Sequence, residues 1–112
     1  MMEKEIKKFE GFFAIKLYAN GPGTLTLLLS TKANDFSDVS SVHFRQVLSF
    51  SDFGLIGQQV LTIDVNSLGL ANRYLAEQAG LNPDDLSQFF FAADSVLAKR
   101  ELIIACKSYS IE

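Results

Sequence analysis

The side chains that most often carry acid–base or nucleophilic chemistry are scarce in this 112-residue chain. His43 is the only histidine, and it lies beside Arg45 in an alternating segment that predicts a strand with both residues on the polar face. A carboxylate near the imidazole would make His43 a candidate general base. A solvated strand histidine is the commoner interpretation, so we expect no catalytic set and no enzyme.

Cys106 is the only cysteine. It follows the most apolar stretch of the chain, where a thiol packs as a small hydrophobic group and is a poor nucleophile. A single cysteine excludes an internal disulfide and a cysteine-based metal cage. No apolar run is long enough for a membrane span, and no signal-peptide pattern is present, so we expect a cytoplasmic protein.

Two pairs of carboxylates are close enough in sequence to suggest metal binding, Asp35 with Asp38 and Asp84 with Asp85. Neither pair has the alternating ligand spacing of a calcium loop, and both are explained as turn formers and helix caps. The glycine-rich run at 20–23 lies between two predicted strands, with no helix behind it to bind phosphate. We therefore predict no metal and no cofactor.

The charge of the chain is uneven. The net charge is −3, yet residues 33–94 carry eight acids against two arginines. Such a field favours a basic partner and opposes nucleic acid at that surface. A solvated acidic face that keeps the protein soluble is the structural alternative.

Exposed aromatic side chains near these acids would supply the anchors of a protein interface. Phe36, Phe53 and Phe91 are the aromatics whose burial the periodicity explains least. The predicted partner-binding residues are therefore Asp35, Phe36, Asp38, Asp52, Phe53, Asp84, Asp85 and Phe91.

The stretch 66–100 predicts two helices joined by a tight corner. Leu68, Ala71, Leu75 and Ala79 recur at helical spacing and predict one buried stripe behind an N-cap at residue 66 or 67. Gly80 suits the end of this helix. A second helix is expected from the capping signals at 82–85 to about residue 99.

The same corner resembles the helix-turn-helix unit of bacterial transcription regulators. Ala76 occupies the position of the small residue that lets the two helices approach, Gly80 that of the turn glycine, and Leu86 that of the apolar residue of the second helix. The resemblance implies that Ser87 and Gln88 read bases and that Arg73 contacts phosphate. Asp84 and Asp85 stand where such a helix meets the negatively charged duplex, and they oppose this function.

Period-two alternation predicts strands elsewhere. A β-hairpin is expected from residues 13–19 and 24–30, a third strand at 42–50, a fourth at 61–65 and a C-terminal strand beyond 101. Residues 1–10 fit either a short helix or an extended strand. The predicted fold is one α+β domain over residues 1–112: a mostly antiparallel sheet of four or five strands with the αα-corner on one face, in the order β-hairpin-β-β-α-α-β.

These observations favour a non-enzymatic protein-binding domain. We expect a small acidic inhibitor or adaptor, of the immunity or anti-defence type, that occupies a basic protein surface. The alternatives are a helix-turn-helix DNA-binding regulator and a subunit of a homo-oligomeric assembly that pairs through a strand edge or the 53–56 segment.

Overall fold

Eight β-strands make up about half of the described residues. The computed structural model describes residues 5–33, 35–94 and 99–112. The strands are β1 Phe13–Ala19, β2 Thr24–Ser30, β3 Val39–Arg45, β4 Ser49–Phe53, β5 Thr62–Ser67, β6 Ser87–Asp94, β7 Lys99–Cys106 and β8 Ser108–Ile111. They form two antiparallel sheets, with the orders β1-β2-β3-β8 and β4-β7-β6-β5. One α-helix, α1 at Leu70–Gln78, and two 3₁₀ turns, Lys7–Phe9 and Pro83–Asp85, complete the described elements.

The predicted β-hairpin is confirmed. β1 and β2 pair antiparallel from Phe13 opposite Ser30 to Ala19 opposite Leu25. The turn between them bends at Gly21 and Gly23, whose φ angles of 124° and 69° are unfavourable for residues that carry a Cβ. Alternate leucines of β2 point inward and are fully or almost fully buried.

The third predicted strand, at 42–50, is two strands in two different sheets. The chain passes from β3 to β4 through Gln46, which has a φ of 51°. β7 and β8 change sheets beside this crossing, because β3 pairs with β8 while β4 pairs with β7. The two sheets are therefore continuous at this corner, and a positive φ at Gln46 interrupts the alternation that a single strand would keep.

The segment between β4 and β5 is hydrogen-bonded to the start of β1 in the first sheet. The N–H of Gly57 donates to the carbonyl of Ala14 at 2.7 Å, and that of Val60 donates to Phe12 at 2.7 Å. The inward faces of both sheets enclose one core, in which the ring of Phe44 makes edge contacts with Phe89 and Phe91. The structure is thus a small single-domain α+β fold, as predicted, but with two sheets in place of one.

The predicted αα-corner is wrong. α1 ends at Gln78, and Gly80, the predicted terminator, follows two residues later with a φ of 75°. Asn82 caps the following turn as expected, since its Oδ1 accepts the Asp84 N–H at 3.1 Å. However, that turn is only Pro83–Asp85, and the chain then enters β6. The helix-turn-helix resemblance fails with it, because Ser87 and Gln88, which would read bases, lie in β6 and not on a helix.

Pairing with distant strands explains why β6 replaces the second helix. β6 lies between β5 and β7 and pairs with both along most of its length. Phe89, Phe91 and Ala93 point inward, while Gln88 lies on the outer face. The capping signals act only on neighbouring residues and are satisfied by a single turn. Pairing with β5 and β7 therefore decides the conformation of the segment that follows. Residues 95–98 of the predicted helix lie outside the described residues.

The other predicted elements agree with the structure in part. The predicted fourth strand is β5. The predicted C-terminal strand is two strands: β7 lies inside the second sheet, and β8 is an edge strand of the first. The predicted N-cap residues Asn66 and Ser67 belong to β5, so α1 begins three residues later. Of the ambiguous first ten residues, Lys7–Phe9 form a 3₁₀ turn that buries Phe9.

Candidate protein-docking surface

Helix α1 lies on the outer face of the second sheet and is held there mainly by polar groups. Oε1 of Gln88 accepts hydrogen bonds from the Gly69 N–H at 2.6 Å and from Asn72 Nδ2 at 2.9 Å. Asn72 Oδ1 in turn accepts the Ser49 hydroxyl at 2.8 Å. Ala76 packs in a small apolar cluster with Leu68, Leu86 and Ala105. The side of α1 that faces the protein is therefore narrow, with polar contacts at Asn72 and an apolar contact at Ala76.

This contact reverses the expected orientation of the helix. The predicted buried stripe included Ala71, Leu75 and Ala79, yet all three are exposed and Ala76 is the buried residue of α1. Residues 72 and 76 have the same spacing as residues 71 and 75, so spacing alone does not choose between the two faces. The polar anchor at Gln88 decides which face turns inward.

As a result, the outward side of α1 is apolar. Leu70 is 87% exposed, Tyr74 63% and Leu75 46%, and Leu81 is exposed just beyond the helix. We call these four residues the α1 surface. A solvent-facing helix normally carries polar residues on its outer side, and a contiguous exposed apolar patch commonly marks an interaction site.

Charged residues lie around the α1 surface. Glu77 lines the same shallow groove as Leu70 and Tyr74. Asp84 forms an ion pair with Arg73, with 3.3 Å between Oδ1 and Nη1, and Asp85 is exposed in the same 3₁₀ turn. Arg73 also lines this groove. Three carboxylates and one guanidinium therefore lie on α1 and the turn after it, and this rim of the α1 surface has a net negative charge.

The predicted partner-binding residues occupy separate parts of the fold. Asp35, Phe36 and Asp38 belong to the loop between β2 and β3, Asp52 and Phe53 to β4, and Asp84 and Asp85 to the turn after α1. Phe36 and Phe53 are exposed, as an interface anchor requires. Phe91 is not: its exposure is 0%, because β6 turns it into the core against Phe44. The expectation that Phe91 anchors a partner is therefore wrong.

Several of these acids also stabilise their own loops. Asp35 Oδ1 accepts from the N–H of Ser37 at 2.9 Å and from its hydroxyl at 2.6 Å, and these bonds lower the pKa of the Asp35 carboxyl. Asp52 Oδ1 accepts from the N–H groups of Gly54 and Leu55 at 3.1 and 3.2 Å. These carboxylates have local structural roles in addition to the charge they contribute.

His43 has two partners that the sequence pattern did not identify. Its Nε2 lies 3.2 Å from Glu112 Oε2, and its Nδ1 lies 2.9 Å from Thr26 Oγ1. A carboxylate only accepts, so a neutral imidazole donates from Nε2 to Glu112 and accepts the Thr26 hydroxyl proton at Nδ1. These partners are 69 and 17 residues away in sequence, and only the strand register brings them together.

A hydroxyl, an imidazole and a carboxylate in line are also the groups of an activated nucleophile. Thr26, however, is 1% exposed in the middle of β2. Its hydroxyl therefore has little access to solvent, although Thr26, His43 and Glu112 border a pocket at this end of the first sheet. We interpret the cluster as a bond across the first sheet that satisfies the buried Thr26 hydroxyl.

The thiol of Cys106 and possible metal ligands are the remaining groups that could carry chemistry. Cys106 is buried, and burial raises its pKa to about 12, which keeps the thiol protonated near neutral pH. Within residues 5–33, 35–94 and 99–112, no three His, Cys, Asp or Glu side chains converge as metal ligands. Over the same ranges, none of the helices has the length and apolar character needed to cross a membrane.

Comparison with known proteins supplies no relative. No family model, no curated protein and no solved structure matches this chain. The α1 surface is apolar where a solvent-facing helix normally carries polar residues, and we take it as the candidate site.

Proposed function

We propose that this protein is a non-enzymatic protein-binding domain that docks a basic partner through the α1 surface. The observation that carries the proposal is the exposure of Leu70, Tyr74 and Leu75 on the outer side of α1, a helix in which only Ala76 is buried. The Gln88 hydrogen bonds hold the helix in an orientation that leaves these apolar groups in water. Contact with a partner would remove them from it.

Two properties of the α1 surface favour binding: the apolar area that a partner would remove from water, and the fixed position of the helix. Full burial of a leucine-sized side chain contributes about 1.5–3 kcal/mol, and tyrosine is among the residues that dominate interface energetics. The Gln88 hydrogen bonds fix α1 to β6 before any partner arrives. A preformed surface loses little conformational entropy on binding, which favours affinity.

Charge defines the kind of partner. Glu77 and Arg73 line the groove beside the apolar groups, and Asp84 and Asp85 lie in the turn that follows α1, so acids outnumber the one cation here. A partner with lysine or arginine residues around an apolar patch would match this rim. Asp35, Asp38 and Asp52 lie in other segments and would act through the long-range field that steers association.

This chemistry fits an inhibitor or adaptor that occupies a basic protein surface. We place its action in the cytoplasm, because Cys106 is the only cysteine in the chain. Self-assembly through the α1 surface is the less favourable alternative. Two copies facing each other would bring their negative rims together, and like charges oppose that contact.

The test compares two variants that each remove exposed apolar groups. The double variant Leu70→Ser with Tyr74→Ser removes the α1 surface, and Phe36→Ser removes an exposed aromatic from the loop between β2 and β3. Tagged wild type and both variants are used to recover partners from nuclease-treated source lysate, and the recovered partner is purified for binding measurements. Thermal unfolding first establishes that both variants fold.

We expect the double variant to weaken binding by at least about 30-fold, the effect of losing two interface anchors. The Phe36→Ser variant should bind as wild type does. Association with the wild type should slow as salt is added, because the partner is basic. Equal binding by wild type and the double variant contradicts the proposal, and a concentration-dependent dimer in light scattering would favour self-assembly.

A further inference from the structure

A second surface, separate from the α1 surface, is the open edge of β4. β4 is the terminal strand of the second sheet and pairs only with β7. Among the described residues, the backbone of Ser49–Phe53 makes no hydrogen bond on the opposite side. In an antiparallel edge strand, alternate residues direct their N–H and C=O groups away from the sheet. β4 therefore presents unpaired backbone groups.

This edge lacks the features that usually protect an exposed strand. Its sequence, Ser-Phe-Ser-Asp-Phe, contains no proline and no lysine. Its single charged residue is Asp52, whose carboxylate turns back to cap the N–H groups of Gly54 and Leu55. Native proteins commonly block such edges with lysine, proline or a bulge, and an unblocked edge is a template for strand addition.

A groove lies where this edge begins. β2 stays paired with β3 as far as Thr24 opposite Arg45, and the Val47 N–H then donates to the Gly23 carbonyl at 2.9 Å. Beyond that bond, the β1–β2 turn and residues 48–50 border a cavity of about 380 Å³. Phe50, half-exposed at its wall, faces this space. The groove continues the line of β2 alongside β4.

We propose that β4 accepts an extended segment of another protein as an added antiparallel strand. Backbone hydrogen bonds to β4 would supply affinity, and an apolar side chain placed in the groove beside Phe50 would supply selectivity. The segment has apolar residues at alternate positions, because successive side chains of a strand point to opposite faces. It is neutral or basic, since Asp52 lies on this edge.

A second copy of the chain fits this edge poorly. Antiparallel pairing of two β4 strands about Ser51 would set Phe50 of each copy opposite Asp52 of the other. Pairing about Asp52 would set two carboxylates face to face, which is destabilising. Pairing about Phe50 would set the two rings opposite each other, but it would overlap only residues 49–51 of each strand, whereas a separate segment can pair along the whole of β4. The added strand therefore comes from a different sequence.

The test uses random linear peptides displayed on phage and selected against the immobilised full chain. A selected peptide is synthesised with a fluorescent label and its affinity measured by anisotropy. Two further forms are N-methylated on alternate backbone amides, one form on the odd positions and the other on the even positions. N-methylation removes a hydrogen-bond donor and leaves the side chains unchanged.

Strand addition predicts an asymmetric result. One N-methylated form should lose at least about tenfold in affinity, because its methyl groups meet the β4 edge, and the other should bind as the parent does. On the protein, Phe50→Ser should weaken binding while Tyr74→Ser leaves it unchanged, which separates this site from the α1 surface. The two N-methylated forms test the proposal without any change to the protein.

Four outcomes would overturn the proposal. They are equal affinities of the two N-methylated forms, wild-type binding by a folded Phe50→Ser variant, loss of peptide binding in Tyr74→Ser, and failure to enrich any peptide. Failure of the α1 proposal would leave the peptide result unaffected, because Phe50 and Tyr74 belong to different surfaces.

Discussion

The side-chain carbonyl of Gln88 caps helix α1 by accepting the backbone N–H of Gly69 at 2.6 Å. Gly69 occupies the N-cap position and has no side chain to satisfy the first turn itself. A residue of β6 thus supplies the cap from the neighbouring sheet. The same oxygen also accepts Asn72 Nδ2, so one atom fixes both the start and the rotation of α1.

Replacement of Gln88 should therefore destabilise the protein. Gln88→Ala removes the acceptor of two hydrogen bonds at a buried position, and a lost partner for a buried polar group costs about 1–3 kcal/mol. Urea unfolding measures the change in the free energy of unfolding. Gln78→Ala, at an exposed position of α1, is the control and should change it by no more than about 0.5 kcal/mol. Similar effects in both variants would show that Gln88 does not anchor the helix.

The two phenylalanines at 36 and 91 should differ sharply in their contribution to stability. Phe91→Ala would open a cavity between the sheets and lower the free energy of unfolding by about 3–5 kcal/mol. Phe36 is 62% exposed, so Phe36→Ala should change it by about 0.5 kcal/mol or less. Chemical denaturation of both variants measures the difference. A mild effect of Phe91→Ala would contradict its position in the core.

The sequence predicted the hairpin correctly because its signals are local and agree with each other. Alternating leucines define both faces of β2, and the adjacent glycines can adopt the positive φ angles that the turn requires. No distant partner is needed to choose between strand and helix there. The outcome for β6 was different, because its apolar run fits either structure.

The start signals at Asn82 and Pro83 are equally local, and the structure uses them in a single 3₁₀ turn. The conformation of the next segment depends on β5 and β7, which provide backbone partners for Phe89 and Phe91. The spacing of apolar residues contains no information on those partners. For this reason the helix boundary was predicted and the second helix was wrong.

The candidate sites were predictable only in part. Phe36 and Phe53 are exposed, as the interface hypothesis requires, but neither residue belongs to a regular alternation, so the sequence pattern left their burial open. The α1 surface was missed because Leu75 was assigned to the buried stripe. Helical spacing defines a stripe without showing which side the protein covers, and here Gln88, on another strand, decides it.

The thiol of Cys106 should make stability fall as the solution becomes alkaline. Burial raises its pKa to about 12 in the folded protein, whereas a cysteine in the unfolded chain ionises near pH 9. Below about pH 9 both states keep the proton, and the thiol contributes no pH dependence. Above that pH the unfolded state loses its proton first, so ionisation favours unfolding by about 1.4 kcal/mol for each pH unit until the folded thiol also ionises.

The measurement is the free energy of unfolding between about pH 8 and 11 for the wild type and for Cys106→Ala. Lysine and tyrosine residues titrate in both proteins, so the difference in slope isolates the thiol. The wild type should lose stability more steeply than the variant, although the variant starts from a lower value because it leaves a small cavity. Parallel slopes would mean that the folded thiol ionises as readily as the unfolded one, and that water reaches Cys106 behind β7.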